Sequence, residues 1–461
     1  MFVVYFMIFK FNLNLFRLIK NKIIMIKKNS LILCSLVFSM IACETETELV
    51  EIPESVIKSI ADEAAATAAA AAASSVASTV NDAATSAVTG AFATQAAEQA
   101  NSVNDDPLPP SEYEFTRNGI STVYYTGQSD RLKMAGELHS AFSDTTKSEA
   151  DILTMFNDGT GFSESSLNSS GKNVGGKTAS SNYASTTVKP QIQAFISRVV
   201  NDVFPNYNND ASEGVAGKYT DPGGRTVHID AKGFEMNQIF TKSLMGALVT
   251  DQIINGYLWR GKLDAGTNIA NNDNLVFEYQ SPSASENNVT KMEHYWDEGF
   301  GYLYGEDNQY SHEVGNGVLV SKYLAKDDVP GLDEVIYDAF KLGRAAIVAG
   351  DYELKDKQAE IIKTSISKVI GYRASHYLRS GASKITAGTW ADALHALSEG
   401  YGFVLSLQFT MNDDGEPYFT NTEVNEMLAD LEKDNGFWSR TSEELNTMAD
   451  KIDAVTGLST Q

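Results

Sequence analysis

The chain has 461 residues, 43% of them hydrophobic, and a formal net charge of −24. That length admits one large domain or two medium ones with a sizeable core. So acidic a balance excludes nucleic-acid binding through phosphate neutralisation, and it favours cations or basic partners.

In chain order, residues 1–24 are hydrophobic and basic, and Met25 begins a better-formed start. Lys27 and Lys28 make a charged n-region, Leu31 to Ile41 a short apolar h-region, and Met40-Ile41-Ala42-Cys43 follows. The apolar run is shorter than the ~20 residues a membrane span needs. We therefore expect a bacterial lipoprotein signal over 1–42, cleavage before Cys43, and lipid on the Cys43 sulfur. The only other cysteine, Cys34, leaves with the signal, so no disulfide and no catalytic cysteine is expected. The first 42 residues carry six cations and no acid, so their removal takes the net charge to −30. Glu44, Glu46 and Glu48 follow the cysteine and resemble the surface-export signal of Bacteroidetes lipoproteins. Residues 43–110 then read as an acidic, Ala-rich tether. Alanine favours helix but gives a core little to pack.

The folded part begins near residue 111. Tyr113, Phe115, Val123 and Tyr125 flank Asn118-Gly119, which predicts a β-hairpin with a type I′ turn. Leu132, Ala135, Leu138 and Phe142 predict a helix, and a short one follows over about 148–156. Residues 158–187 are mostly Gly, Ser, Asn and Thr and read as a long loop, a surface excursion or a lid. Pro190 is expected to open a helix running to about 204. A turn is expected at Asp221-Pro222-Gly223-Gly224, and a long buried helix over 234–258. Further helices are expected at about 313–325, 332–350, 355–379, 386–408, 422–434 and 442–455.

Two stretches nearly repeat. His294 to Tyr302 (HYWDEGFGY) and His395 to Phe403 (HALSEGYGF) lie 101 residues apart, share four of nine positions, and exchange Phe with Tyr at two more. Internal repetition implies duplicated units. We therefore expect a mainly α fold of two pseudo-repeated helical bundles behind a small N-terminal β-hairpin. The first half spans about 111–325 and the second about 326–460.

On a helix, residues three and four apart share a face. His294 then aligns with Asp297 and Glu298, and His395 with Glu399. Imidazole with carboxylate suits a divalent transition metal such as iron or zinc. The first set is a candidate metal site and the second a possible weaker echo. Packing is the plainer reading for the Gly-aromatic-Gly-aromatic segments in both copies, since glycine lets another backbone approach. His139, His228 and His312 have no partner pattern, His376 reads as packing, and Asn412 to Glu416 reads as a turn. The chain has no nucleophile elbow, no phosphate-binding loop and no His-Glu-Xaa-Xaa-His.

Tyr113 to Gly119 (YEFTRNG), Tyr125 to Arg131 (YTGQSDR), Met292 to Tyr302 (MEHYWDEGFGY) and His395 to Gly400 (HALSEG) resemble a family of Bacteroidetes lipoproteins known as domain of unknown function 4856. More distantly the chain resembles the imelysin-like proteins, two duplicated helical bundles tied to iron uptake and once called peptidases. Their signature is Gly-Xaa-His-Xaa-Xaa-Glu. Here Met292 stands for the Gly and Asp297 for the Glu, with Glu298 beside it. The resemblance implies an outer-membrane lipoprotein, anchored through Cys43, that binds a metal or metal-bearing small ligand and faces the periplasm or the cell surface. Two alternatives remain at this point. One is a metallopeptidase with Glu298 as base on a metal-bound water. The other is a non-catalytic surface module for a polymer or protein.

Overall fold

The computed structural model describes residues 107–458, apart from 182–184, 223, 308, 316, 318 and 325–330. The expected signal region, Cys43 and all but the last four residues of the 43–110 tether lie outside the described residues.

Helix dominates. The long helices are α1 (Thr126–Ala141), α2 (Glu149–Asp158), α3 (Ser185–Arg198), α4 (Met236–Leu244), α5 (Lys291–Tyr304), α6 (Leu332–Ala349), α7 (Tyr352–Ala387), α8 (Trp390–Ser406), α9 (Asn421–Glu432) and α10 (Ser442–Thr456). Several starts are written locally. Ser148 with Asp151, Thr290 with Glu293, Thr420 with Glu423 and Thr441 with Glu444 form reciprocal capping boxes, each satisfying two otherwise orphan backbone donors. Among the described residues, strand is confined to two small antiparallel pairs. In the first, β1 (Thr116–Arg117) pairs β2 (Ile120–Ser121) across Asn118-Gly119, whose φ angles of 52° and 76° give the turn its primed geometry. The second pairs β3 (Gly217–Thr220) with β4 (Thr226–Ile229) around the expected 221–224 turn.

One continuous apolar cluster runs from Tyr113 to Ile452. Helix α7 packs against α6, α8 and α10, and α4 packs along α8, so elements from both expected halves share the core. None of the described helices is long and apolar enough to cross a membrane.

Four local expectations need correction. Helix α3 begins at Ser185, five residues before Pro190, so the proline lies inside it and not at its start. The expected 313–325 helix is reduced to Ser321–Leu324 among the described residues. The expected 158–187 loop is tied down over its described residues up to 181. Leu167, Val174, Thr178 and Ala179 are buried, the Ala179 N–H donates to the Ala247 carbonyl at 2.6 Å, and the Gly175 N–H to that of Phe156 at 2.7 Å.

The buried 234–258 helix is α-helical only through Leu244 and then widens into π turns over Met245–Thr250 and Gln252–Tyr257. The cause is a side chain from α8. The Gly246 N–H donates to Ser406 Oγ at 3.0 Å, and that oxygen lies 3.0 Å from the Lys242 carbonyl. The hydroxyl thus stands where the Gly246-to-Lys242 helical bond would form, and a group inserted in the ladder forces a wider turn. Gly246 permits this approach, since a Cβ there would meet Ser406 Cβ at 2.4 Å.

Candidate functional site

The three groups expected to share a metal part company on α5. Asp297 is fully buried and points into the protein, where Arg344 Nε donates to it at 3.0 Å, the Tyr113 hydroxyl at 2.7 Å and the Tyr124 N–H at 3.0 Å. Arg344, itself fully buried on α6, also holds Glu293 at 2.9 Å and Thr122 at 3.2 Å, and Arg117 from the hairpin donates to Glu293 at 3.0 Å. Two guanidiniums balance two carboxylates, as burial of charge requires. Burial pushes Asp297 up to about 6 against the pull of Arg344. Burial also acts to raise Glu293, but Arg344 and Arg117 outweigh it and bring it down to about 2. This network bolts the β-hairpin to α5 and α6.

His294 and Glu298 face the other way, into a cavity of about 260 Å³. The backbone of Tyr124 separates the two sides: its N–H serves Asp297, and its carbonyl lies 3.2 Å from His294 Nδ1. A carbonyl only accepts, so Nδ1 carries the proton and Nε2 presents a lone pair. Tyr124 and Tyr279 pack on the imidazole, with ring centroids 4.6 and 4.1 Å away. Burial pushes the imidazole pKa below its usual value, and Lys262 and Lys172 add to this against Glu298, so the ring is neutral at pH 7. Nε2 lies 3.7 Å from Glu298 Oε2, while Glu298 Oε1 accepts from Gln128 Nε2 at 2.9 Å.

The rest of the lining includes three cations. Arg131 comes from α1, and Lys172 and Lys177 come from the ordered loop. Arg131 donates to the Gly127 and Asn173 carbonyls at 2.9 and 3.0 Å, and Lys177 donates to the Tyr257 hydroxyl at 3.0 Å. Lys262 stands beside them, 3.7 Å above the Tyr257 ring centroid and 4.6 Å from that of Tyr295. Burial lowers the Lys177 pKa and brings Lys262 down to about 8. Among the described residues, none of these four cations has a carboxylate within 4.0 Å.

The expected metal triad therefore does not converge. Among the described residues no group of three His, Cys, Asp or Glu side chains is placed to hold an ion. His294 and Glu298 offer two donors, and the surrounding cations oppose a bare divalent ion at close range. The donor set does not fit iron or zinc alone.

The second copy is built alike and filled differently. His395 Nδ1 lies 2.7 Å from Glu235 Oε2 at the start of α4, and Nε2 lies 3.6 Å from Glu399 Oε2. Glu235 and Glu399 thus sit at the two ring nitrogens and do not converge on one point. Lys242 Nζ sits 3.2 Å from Glu399 Oε1, and the Tyr323 hydroxyl donates to the same oxygen at 3.3 Å. Burial acts to raise Glu399, but Lys242 and His395 outweigh it and hold its carboxyl below the usual range.

The repeated glycines serve packing in both copies. A Cβ at Gly301 would meet Tyr125 Cβ at 2.5 Å and Gln128 Cβ at 3.0 Å on α1. One at Gly402 would meet Lys242 Cβ at 2.4 Å and Ser243 N at 2.8 Å on α4. The lone histidines are accounted for locally: His139 Nδ1 is 2.8 Å from Thr241 Oγ1, His228 stacks on Tyr207 at 3.7 Å, and His312 lies 4.0 Å from Asp333.

Sequence reasoning missed Lys172, Lys177, Arg131, Gln128 and Tyr257. Their one signal was Arg131, a cation at helical spacing among the apolar residues of α1. The two lysines sit in a polar loop with no periodicity to place them.

No curated protein and no solved structure matches this chain. One family matches, described as a domain of unknown function (DUF4856), over residues 110–459.

Proposed function

The chain belongs to that family of unknown function, and from its geometry we propose that it is a lipid-anchored envelope protein that binds a small anionic ligand in the His294–Glu298 cavity without cleaving it. One observation carries the reading. In a chain of net charge −24, Arg131, Lys172 and Lys177 line one cavity, with Lys262 close by on the Tyr257 ring, and among the described residues none of the four has a carboxylate within ion-pair distance. Lysines sheltered from water lose hydration that only a partner restores, and an anionic ligand is that partner. The cavity lies a little under the ~300–1,000 Å³ usual for ligand sites, which suits a small metabolite. Attachment rests on the signal-like residues 25–42 and on Cys43. The near-repeat of His294 to Tyr302 in His395 to Phe403 supports reading a duplication, as in the imelysin-like group.

The test is calorimetric titration of the purified chain with citrate, succinate and phosphate. Micromolar to millimolar binding by at least one is expected, with loss in Lys172→Met/Lys177→Met at unchanged helical content. Binding that ignores that double substitution, or no binding by any of the three or by L-aspartate and L-glutamate, overturns the reading.

His294 Nε2 and Glu298 Oε2, both open to the cavity and 3.7 Å apart, favour a second reading. In it, the anion is a metal complex that brings acidic ligands of its own. Elemental analysis after loading with iron or zinc, with and without citrate, separates the two. Metal retained only with citrate supports this reading.

A further inference from the structure

The two copies of the repeated helix give an internal comparison of the same carboxylate. Glu298 and Glu399 each lie four residues after the histidine, and each lies three residues before the glycine that touches the partner helix. In the second copy Lys242, whose Cβ abuts Gly402, reaches back with its ammonium to Glu399 Oε1 at 3.2 Å. In the first copy Tyr125 Cβ abuts Gly301 most closely, and Gln128, whose Cβ follows at 3.0 Å, is the side chain that reaches Glu298 Oε1, at 2.9 Å. A neutral amide thus stands where the second copy has a cation. Glu298 is only 17% exposed, and among the described residues its sole ion-pair contact is the His294 imidazole at 3.7 Å.

The cavity is therefore two-faced. One set of groups donates: Lys172, Lys177 and Arg131. The other accepts: Glu298, which the Tyr257 hydroxyl meets but, among the described residues, no cation does, and the Nε2 lone pair of His294, whose Nδ1 is spent on the Tyr124 carbonyl. An acceptor pair shielded from water needs donors as much as the lysines need an anion. A simple dicarboxylate satisfies the first set and sets its own lone pairs against the second. We propose that the ligand is a small amino acid-like zwitterion of net negative charge, its acid groups on the lysines and its ammonium between Glu298 Oε2 and His294 Nε2. The ammonium would supply to Glu298 what Lys242 supplies to Glu399. This deepens, and rests on, the anion-binding reading above.

Matched pairs that differ by one amine test it: L-aspartate against succinate, and L-glutamate against glutarate, titrated into the full-length chain. The amino member of at least one pair is expected to bind at least about tenfold tighter, because a charge-assisted pair is stronger than a neutral one. Glu298→Gln is expected to remove that preference while leaving the deaminated acid bound as well or better. Gln128→Lys, which rebuilds the second copy's ion pair inside the first, is expected to remove it too, with the variant's helical content confirming the fold. Equal affinity within both pairs overturns the ammonium and leaves the anion reading standing. So does a preference that survives Glu298→Gln. Failure of all four acids to bind, where citrate or phosphate binds, also removes the zwitterion but not the anion. Failure of every anion removes both.

Discussion

Replacing Arg344 by methionine isolates what holds Asp297 away from the cavity. Arg344 is fully buried and touches Glu293 at 2.9 Å and Asp297 at 3.0 Å, both also buried. Methionine keeps much of the volume and removes the charge, leaving two carboxylates and one remaining cation, Arg117, on Glu293. Breaking a buried pair on one side costs about 3–5 kcal/mol. For roughly 350 ordered residues the unfolding entropy is about 0.7 kcal/mol per degree, so Tm should fall by about 4–7 °C. The sign of the pH dependence follows from the two carboxyls. In the wild type, Glu293 sits near 2, below its ordinary value, so it contributes stability above about pH 4.5 that is lost as pH falls toward 2. Asp297 sits near 6, above its ordinary value, so its ionisation costs stability as pH rises through 6. Without Arg344 both carboxyls move up. The deficit should therefore be largest above pH 6 and should shrink by pH 5, where the variant takes up protons. Urea unfolding at pH 7.5 and pH 5 measures it, and adding Asp297→Asn to the variant should recover stability at pH 7.5. A loss under about 1 kcal/mol at pH 7.5, well below the range for a broken buried pair, would refute the reasoning. So would a deficit that does not change with pH.

Three further outcomes are expected. Gly402→Ala places a methyl 2.4 Å from Lys242 Cβ and 2.8 Å from the Ser243 backbone nitrogen, which cannot yield as a side-chain tip can, so it should cost about 1–3 kcal/mol in urea unfolding; a neutral result contradicts the close helix crossing. Ser406→Ala leaves the Gly246 N–H and the Lys242 carbonyl without the hydroxyl between them. It should cost about 1–3 kcal/mol and speed hydrogen exchange at Gly246, and unchanged exchange would show that the hydroxyl does not hold the π turn. Asp251 is fully buried, and burial pushes it up to about 6 against hydrogen bonds from Ser181 and Asn255. Its carboxyl should titrate by NMR near pH 6, with stability falling as pH rises through that value, and a midpoint near 4 would contradict the burial.

What was legible in the sequence is what is local. The Asn118-Gly119 turn and the predominance of helix each depend on a few neighbouring residues, and both are found. The repeated segments were legible as a pattern, and their glycines pack as spacing alone suggests. Asp297 and Glu298 show where local reasoning stops. Both share a face with His294 at spacings of three and four, yet they sit about 100° apart around the helix, on either side of it. Which of them meets the cavity depends on Arg344, 47 residues beyond Asp297, and on Tyr124, 173 residues before it. The same limit hid the π turns, since Ser406 reaches Gly246 across 160 residues. It also hid Lys172 and Lys177, because a polar loop carries no period from which direction can be read.

The partners of the two repeated segments explain why one offers a cavity and the other an ion pair. Each frame demands an acceptor for the histidine Nδ1, a glutamate one turn on, and a glycine where the partner helix crosses. In the second copy both carboxylates find partners inside the frame: Glu235 at His395 Nδ1, Glu399 at Lys242. In the first, the Nδ1 acceptor is a neutral carbonyl and the partner side chain is a neutral amide. Among the described residues no Lys or Arg stands within ion-pair reach of Glu298. A fold that already solves this problem internally in one copy is not forced to leave it open in the other. The open copy is thus the one to which we assign the proposed ligand.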